Sequence, residues 1–416
     1  MNPETEPAAT THETRAPSSF KRTIAFAATG LLAAGTVSAG AWWGISSVAA
    51  ADTTDAPTAA AGNTVIQTQL DHLVDRGFPA ALASLTHPDG SHEDFVSGVG
   101  NVETGEDVPV DGEVRIGSNT KMFTAVTVLQ LVEQGQVELD APIEKYLPGL
   151  LHGEGIDGAN ITVRQLLQHT SGLPEYTDAL AVDFKQMQHS YKSPRDLMDM
   201  ALAQPALFSP GERWEYSNTN YIVLGLLVEK VTQRPLGEEI TRRIIEPLGL
   251  QHTYFPAQGE QEFRGAHPFG YHMEADLQRY DVTELDPSWA WAAGEIIASP
   301  SDLNEFNRAV VDGRLLSEAS MAEMQKTVPS DETLFPGAQY GLGLERYPLS
   351  CGGEIWGHGG DIQGYETRNG VTADGTAFTI AVTSLPAAIG DPANEELVLE
   401  NYKSVTQALD TVLCSK

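Results

Sequence analysis

Two residues three positions apart have the side chains needed for nucleophilic catalysis. Ser118 and Lys121 form the pattern S-x-x-K, and residues i and i+3 lie on one face of a helix. A serine hydroxyl is a poor nucleophile until a base removes its proton, and a lysine kept neutral by burial or by nearby positive charge can be that base. The pattern alone is a weak signal, because Ser18 and Lys21 also match it near the N-terminus.

Two later motifs could supply the remaining groups of such a site. In Tyr216-Ser217-Asn218, the phenol could relay a proton to a leaving group, and the Asn amide can both donate to and accept from a substrate amide. In His358-Gly359-Gly360, placed on a predicted strand, the glycines allow close backbone approach, and the imidazole supplies positive potential or a hydrogen bond. Taken singly, the first motif is more typical of a helix start and the second of a tight turn.

The elements that must position these motifs follow the order strands, helices, strands and a final helix. Strands are predicted at 80–86, 94–99, 293–297, 341–344, 353–358 and 378–383. Helices are predicted from Thr64, from Ser118 to Gly135, and at 163–169, 194–203, 220–231, 238–245, 301–313 and 395–413. This order predicts an α+β fold in which a helical region is inserted into a sheet domain.

In this order the three motifs resemble those of the serine β-lactamase/penicillin-binding protein superfamily, class C-like and closest to the secreted D-alanyl-D-alanine carboxypeptidase branch. The resemblance covers about residues 62–416 and includes connecting phrases at 161–167, 169–173, 246–250, 293–294, 301–303 and 341–344. It implies a β-lactamase/transpeptidase-like fold, with an antiparallel sheet flanked by helices and a largely helical region inserted. The sheet part would comprise about 62–121 and 290–416, and the helical part about 122–289.

The resemblance also implies a role for each matched residue. Ser118 would be acylated, Lys121 would be the base, and Tyr216 would carry the proton to the leaving group. His358 would complete the electrostatic lining, and the backbone N–H groups of Ser118 and Asp361 would form the oxyanion hole. The implied substrate-binding residues are Asn218, which would hold the substrate amide, Trp289, Gly359, Gly360 and Asp361. No metal or cofactor is implied.

Three positions depart from this branch, whose members grip a free C-terminal carboxylate. Glu345 stands where the gripping Arg is expected, and Gly359 and Asp361 replace hydroxyl-bearing residues. At ~4 Å and an effective dielectric near 20, each acid would repel an anion by on the order of a few kcal/mol, enough to reverse specificity. Either Arg346 or a distant residue provides the grip, or the substrate lacks a carboxylate, or the site favours an amine.

The sequence therefore predicts a serine hydrolase that acts through an acyl-Ser118 intermediate on a peptide or β-lactam-like small substrate. The favoured function is a D-alanyl-D-alanine carboxypeptidase or a related D-amino-acid peptidase acting on cell-wall peptides. The alternatives are a β-lactamase, an esterase or amidase of the same family, and a non-catalytic penicillin-binding sensor. The protein is expected to be a monomer.

The N-terminal segment indicates export. Lys21 and Arg22 precede an apolar stretch, so residues 1–51 are predicted to be a signal peptide or a membrane anchor, and 52–61 a linker. The protein would be secreted or anchored on the outer face of the cytoplasmic membrane.

The charge and the cysteines fit that location. A net charge of -32 would repel nucleic acid and anionic lipid, so no nucleic-acid partner is expected, and membrane contact would occur only through the N-terminal segment. The two cysteines, Cys351 and Cys414, suggest one disulfide in an exported protein, with two buried thiols as the alternative. Both fall where the carboxypeptidase branch has its disulfide.

Overall fold

The computed structural model describes residues 59–180, 184–273 and 277–415. The predicted signal peptide or anchor, 1–51, lies outside the described residues, as do residues 52–58 of the predicted linker. Within the described ranges, no helix is both long enough and apolar enough to cross a bilayer.

The frame of the molecule is one antiparallel sheet. In chain order the described strands are β1 (Ala80–Thr86), β2 (His92–Gly98), β3 (Val114–Arg115), β4 (His152–Gly153), β5 (Ile156–Asp157), β6 (Tyr271–Met273), β7 (Arg279–Asp281), β8 (Ile297–Ala298), β9 (Val328–Pro329), β10 (Gln339–Tyr340), β11 (Glu345–Pro348), β12 (Glu354–Gly357), β13 (Gly360–Ile362), β14 (Tyr365–Thr372) and β15 (Ala377–Val382). The main sheet has the order β2-β1-β15-β14-β12-β11-β10-β9, and β13 pairs with β14. The other strands form two-stranded pairs: β3 with β8, β4 with β5, and β6 with β7.

Helices come before, between and after these strands. In chain order the described helices are α1 (Ala59–Asp75), α2 (Thr120–Glu133), α3 (Val163–Leu167), α4 (Phe184–Met187), α5 (Pro194–Leu202), α6 (Thr219–Thr232), α7 (Leu236–Ile240), α8 (Glu246–Leu248), α9 (Trp291–Gly294), α10 (Pro300–Val311), α11 (Glu318–Met324) and α12 (Glu395–Cys414). Thr162 and Ser193 form capping boxes at the starts of α3 and α5, which satisfy backbone N–H groups of the first turn of each helix.

Helices cover the sheet on both faces. On one face α1 and α12 pack together and against the sheet, where Leu70, Leu409 and Ile380 share a core cluster. On the other face α10 packs on β1, β14 and β15. All seven residues of β1 are therefore buried, which suits its run of small and apolar side chains because a strand covered on both faces does not alternate.

The helical region is built around α2 and α6. Both helices are buried around most of their circumference and pack on each other and on α9, as expected for helices that are apolar on all sides. Phe123 of α2 stacks on Phe306 of α10 with ring centroids 3.6 Å apart. This contact fixes the helical region to the sheet, so the start of α2 has a defined position over the central strands.

The predicted α+β fold, an antiparallel sheet flanked by helices, is confirmed. Three strand predictions are wrong in part. Residues 293–294 end helix α9, and only Ile297–Ala298 of that run extends into a strand. Residues 341–344 form the turn between β10 and β11, where Gly343 has a φ of 74°. His358 and Gly359 lie between β12 and β13. Short apolar or glycine-containing runs do not distinguish strands from turns or short helices.

The predicted disulfide is present between Cys351 and Cys414, whose Cα atoms are 5.6 Å apart. It connects the turn between β11 and β12 to the last residue of α12. The bond therefore closes the C-terminal helix onto the side of the sheet that carries the third motif.

Candidate active site

Ser118 lies in a 3₁₀ turn, Gly117–Asn119, directly before α2. Gly117 has a φ of 49°, and a Cβ at this position would lie 2.8 Å from the backbone nitrogen of Asp361. A Cβ at Gly360 would lie 2.0 Å from the carbonyl oxygen of Ile116. The two glycines thus let the serine turn and β13 touch through their backbones, and this contact brings the two nitrogens of the implied oxyanion hole close together.

Lys121, in the first turn of α2, is fully buried and has three hydrogen-bond partners. Its Nζ lies 3.0 Å from Ser118 Oγ, 2.7 Å from Asn218 Oδ1 and 2.8 Å from the carbonyl oxygen of Ala293. A neutral amine has two hydrogens and one lone pair. Because the amide and carbonyl oxygens can only accept, they take the two hydrogens, and the lone pair faces the Ser118 hydroxyl. The geometry therefore fits a lysine acting as the base toward Ser118.

Burial lowers the pKa of Lys121 to about 7, against the opposing effects of Glu175, Glu345 and Asp361. Loss of water around an ammonium group favours its neutral form, whereas nearby carboxylates favour the charged one. Near neutral pH a substantial fraction of Lys121 is therefore unprotonated. An ordinary exposed lysine would be almost entirely charged there.

Tyr216 and Asn218 lie at the start of α6 and reach the same point. Burial raises the pKa of Tyr216 well above its usual value, against a hydrogen bond with Ser118 that lowers it, so the phenol keeps its proton. The Lys121 Nζ lies 4.9 Å from the centre of the Tyr216 ring. A neutral hydroxyl that is hydrogen-bonded to the nucleophile can pass a proton to a leaving group.

Glu175 fixes the orientation of Asn218. Its Oε2 accepts hydrogen bonds from the Asn218 backbone N–H at 2.7 Å and from Nδ2 at 3.0 Å, which leaves Oδ1 for Lys121. Burial raises the pKa of Glu175, and the backbone hydrogen bonds and Lys121 oppose that rise. Asn218 therefore links this carboxyl group to the base, and one Nδ2 hydrogen and one Oδ1 lone pair remain for a substrate amide.

His358 belongs to a buried chain of hydrogen bonds. His169 Nδ1 accepts from the Ser217 N–H at 3.2 Å, so its Nε2 carries the hydrogen that faces Tyr340 Oη at 3.2 Å. Tyr340 Oη in turn lies 3.0 Å from His358 Nε2, and His358 Nδ1 lies 2.6 Å from the Gly359 carbonyl oxygen. This order assigns both imidazoles as neutral.

Burial, together with the charge of Lys121, lowers the pKa of His358 to about 3. Of the two possibilities that its motif left open, the structure therefore favours a hydrogen-bonding His358 over a source of positive potential. Its ring lies 6.4 Å from that of Tyr216, so His358 packs in the wall of the site beside the second motif.

A cleft of about 220 Å³ opens over Ser118. All of the predicted site residues except Lys121 and Gly360 line it, and these two lie directly behind its wall. Trp289 is buried, and its carbonyl oxygen accepts a hydrogen bond from Tyr176 at 2.5 Å. The apolar part of the lining is formed by Trp214, Trp289, Leu334, Phe335, Ile362 and Leu385.

The three positions that depart from the carboxypeptidase branch all lie in this cleft. Glu345, at the start of β11, accepts a long hydrogen bond of 3.4 Å from the Gly359 N–H. Burial raises its pKa to about 7, opposed by that hydrogen bond, Arg368 and Lys121. Asp361 is paired with Arg368, whose Nη2 lies 3.0 and 3.3 Å from its two oxygens.

Arg346 does not lie in the lining of the cleft. Its Nη1 lies 3.3 Å from the Glu354 carboxylate, and in β11 it is next to Glu345, so the two side chains point to opposite faces. Glu345 is the one that lines the cleft. The structure thus excludes Arg346 as the carboxylate grip in this arrangement.

Several site residues were not found from the sequence. Glu175, His169 and Tyr340 lie within or next to matched phrases, but their hydrogen bonds depend on contacts across the fold. Arg368 lies on β14 seven residues after Asp361, and only the pairing of β13 with β14 brings the two together. Within the described residues, no cluster of His, Cys, Asp and Glu has the arrangement of a metal site.

The comparison with known families decides the classification. The family model described as Beta-lactamase matches residues 63–400. The chain belongs to the Beta-lactamase family. This match confirms the superfamily that the order of the three motifs indicates.

Two solved structures of D-specific enzymes resemble this Beta-lactamase family member along most of its length. A D-stereospecific amidohydrolase from Streptomyces sp. is 36% identical with a TM-score of 0.73, over 81% of this chain and 97% of that one. The D-amino acid amidase from Ochrobactrum anthropi SV3 is 29% identical with a TM-score of 0.74, over 85% of this chain and 98% of that one.

A curated relative is the putative penicillin-binding protein PbpX of Bacillus subtilis. It is 28% identical over 294 residues, which are 69% of this chain and 66% of PbpX. The chain thus spans just under two thirds of that relative.

Proposed function

We propose that this protein is a D-stereospecific serine amidase or peptidase whose substrates have no free carboxylate next to the bond that is cleaved. The observation that carries the proposal is Glu345, an acid that lines the cleft where the carboxypeptidase branch has its gripping Arg. The family match supports the hydrolase class, and the catalytic groups around Ser118 support the reaction type.

The reaction follows from the hydrogen bonds of the site. Neutral Lys121 takes the proton of Ser118 as the oxygen attacks the substrate carbonyl, and the developing oxyanion accepts from the backbone N–H groups of Ser118 and Asp361. Tyr216, hydrogen-bonded to Ser118, passes its proton to the leaving nitrogen and receives in exchange the proton that Lys121 took from Ser118, so the amine departs and Lys121 and Tyr216 are both neutral again. Water then attacks the acyl-Ser118 ester with the same groups acting in reverse.

Electrostatics favour a substrate without a carboxylate on the leaving side. Of the two acids at the positions that depart from the carboxypeptidase branch, Asp361 is compensated by its ion pair with Arg368, whereas Glu345 faces the cleft. Ionised Glu345 within ~4 Å of such an anion would cost about 4 kcal/mol at an effective dielectric of 20. An amide has no charge there and avoids this cost.

The D-specific assignment rests on similarity. Two structures that resemble the chain over more than four fifths of its length are described as a D-stereospecific amidohydrolase and a D-amino acid amidase. Since the residues of the catalytic centre have the same order as in the superfamily, we extend that stereospecificity to this cleft. The disulfide supports the further proposal that the protein is secreted or anchored outside the cytoplasmic membrane.

A D-alanyl-D-alanine carboxypeptidase is the second candidate. Similarity to a putative penicillin-binding protein favours it, and so does Arg368, a cation in the lining of the cleft. For this function Arg368 would have to leave Asp361 in order to bind the substrate carboxylate. The two candidates therefore predict opposite preferences for a free or an amidated C-terminus.

Rates on paired substrates test the proposal. We expect D-phenylalanine amide to be hydrolysed at least about tenfold faster than its L-enantiomer, and amidated D-Ala-D-Ala at least about tenfold faster than the free acid. The Glu345→Gln variant should raise the ratio of free-acid to amide kcat/KM by about 10- to 100-fold, because it removes the repelling charge. The Glu354→Gln variant, which alters an acid paired with Arg346, is the matched control.

The pH dependence of the substrate preference provides a second test of the role of Glu345. Because the pKa of Glu345 is raised to about 7, its negative charge appears as the pH rises from 6 to 8. The preference for the amidated substrate should therefore grow over this range in the native protein and stay flat in Glu345→Gln. Faster hydrolysis of the free acid at pH 8 would reject the amidase in favour of the carboxypeptidase, and fast turnover of a β-lactam would indicate a β-lactamase.

A further inference from the structure

Arg368 is a buried cation directly behind the third motif. Its side chain is only 5% exposed, and its Nη2 lies 2.7 Å from Glu366, which is completely buried. The same nitrogen donates to Asp361 at 3.0 Å, and Nη1 donates to the Thr367 carbonyl oxygen at 2.9 Å. The guanidinium is thus held by two acids and by a carbonyl group of its own strand.

The sheet register explains how these groups meet. Asp361 of β13 lies opposite Glu366 of β14, and Arg368 is two residues further along β14. Directly paired residues, and residues two apart in one strand, point to the same face of a sheet. The three ionisable side chains therefore form one cluster that spans the short pairing between β13 and β14.

Gly359 lies directly against the Arg368 side chain of this cluster. A Cβ at Gly359 would lie 2.9 Å from Arg368 Nη1 and 3.3 Å from its Cζ. The guanidinium therefore occupies the space that any side chain at position 359 would need. The position of Arg368 explains the glycine at position 359. An unusual backbone angle does not explain it, since the φ of Gly359 lies outside the left-handed region.

We propose that Arg368 is a positioning residue of the active site, which clamps Asp361 from behind Gly359 and so aims the Asp361 backbone N–H at the oxyanion. Held in this way, residues 359–361 keep their contact with the serine turn, where Gly360 and Gly117 touch the opposing backbone. In this role Arg368 acts through Asp361. This inference rests on the proposed function, both on its acyl-serine mechanism and on Arg368 staying paired with Asp361 during turnover.

The test uses Gly359→Ala, Arg368→Lys and the double variant in the full protein. Their rates are measured with a fluorophosphonate, whose phosphoryl oxygen enters the oxyanion hole as Ser118 reacts, and with a neutral p-nitrophenyl ester. Gly359→Ala should lower kcat and the fluorophosphonate rate about 10- to 100-fold, with KM changed by less than about threefold, because the displaced guanidinium no longer aims the donor.

The double variant separates positioning from a general loss of structure. Lysine keeps the charge but lacks the fork that fills the space beside position 359. Adding Gly359→Ala to Arg368→Lys should therefore lower kcat and the fluorophosphonate rate by at most about threefold. Thermal unfolding is measured for each variant, and Ser91→Ala, at an exposed turn, is the control.

Two results would overturn the inference. One is a Gly359→Ala protein with native kcat and native fluorophosphonate rate. The other is a Gly359→Ala substitution that lowers the rates by the same factor whether residue 368 is Arg or Lys. Gly359→Ala alone decides the question if Arg368→Lys fails to fold. Failure of the proposed function is distinguishable, because it would appear as inactivity of the native protein toward D-amides while the fluorophosphonate still reacts.

Discussion

Replacing Glu175 by Gln should shift the pH dependence of catalysis toward lower pH. The ionised carboxylate of Glu175 favours the charged form of Lys121 and so raises the pKa of the base. The two groups are joined through Asn218 by hydrogen bonds of 2.7 and 3.0 Å. The variant removes this carboxylate but keeps an oxygen that can accept from Asn218.

The hydrogen bonds give the size of the shift. With the width of the Asn218 amide between them, Nζ and the carboxylate are about 7 Å apart, which at an effective dielectric of 20 corresponds to about 2 kcal/mol, or between 1 and 2 pKa units. Because burial also raises the pKa of Glu175, its carboxylate acts less strongly on Lys121 toward acidic pH, and the lower end of this range applies. We therefore expect the midpoint of the acidic limb to fall by about 1 unit from a value near 7.

The assay is kcat/KM for a neutral p-nitrophenyl ester between pH 5 and 9, because this substrate does not itself ionise. Neutral Lys121 is the active form, so the rate should rise with pH through the pKa of the free enzyme. Glu246→Gln, a change at an exposed position of α8, should leave the profile unchanged. An acidic limb that stays in place in Glu175→Gln, or moves to higher pH, would refute the assignment of Lys121 as the base.

Two further changes test other parts of the site and the fold. Tyr216→Phe should lower kcat by about 10²- to 10⁴-fold because it removes the proton donor to the leaving group; a rate within about threefold of the native one would contradict that role. Replacing both Cys351 and Cys414 by Ser opens a loop of 63 residues, and should cost about 4 kcal/mol of the free energy of unfolding. Denaturant unfolding measures this loss, and a native midpoint would show that the disulfide adds nothing.

The grouping of the candidate catalytic residues could be predicted from the sequence because the spacing within each motif fixes its local geometry. Ser118 and Lys121 are one helical turn apart, and Tyr216 and Asn218 are both at a helix start. Their order along the chain then indicated the superfamily. The pKa of Lys121 could not be predicted, because it depends on burial by helices that are remote in the sequence.

The specificity side of the cleft was only partly predictable. The sequence identified Glu345 as an acid in place of an Arg, and Asp361 as an acid in place of a hydroxyl-bearing residue, and both line the cleft. It missed that Arg368 compensates Asp361, because an ion pair between neighbouring strands requires the register of the sheet. It also placed His358 and Gly359 on a strand, whereas they form the link between β12 and β13.

The central claim is that Ser118 carries the acyl group during turnover. Intact-protein mass spectrometry with peptide mapping, after rapid acid quenching during hydrolysis of a D-aminoacyl ester, tests it directly. We expect a mass increase of one acyl group on the peptide that contains Ser118, and none in the Ser118→Ala variant. No adduct in the native protein, or the same adduct in Ser118→Ala, would contradict the mechanism.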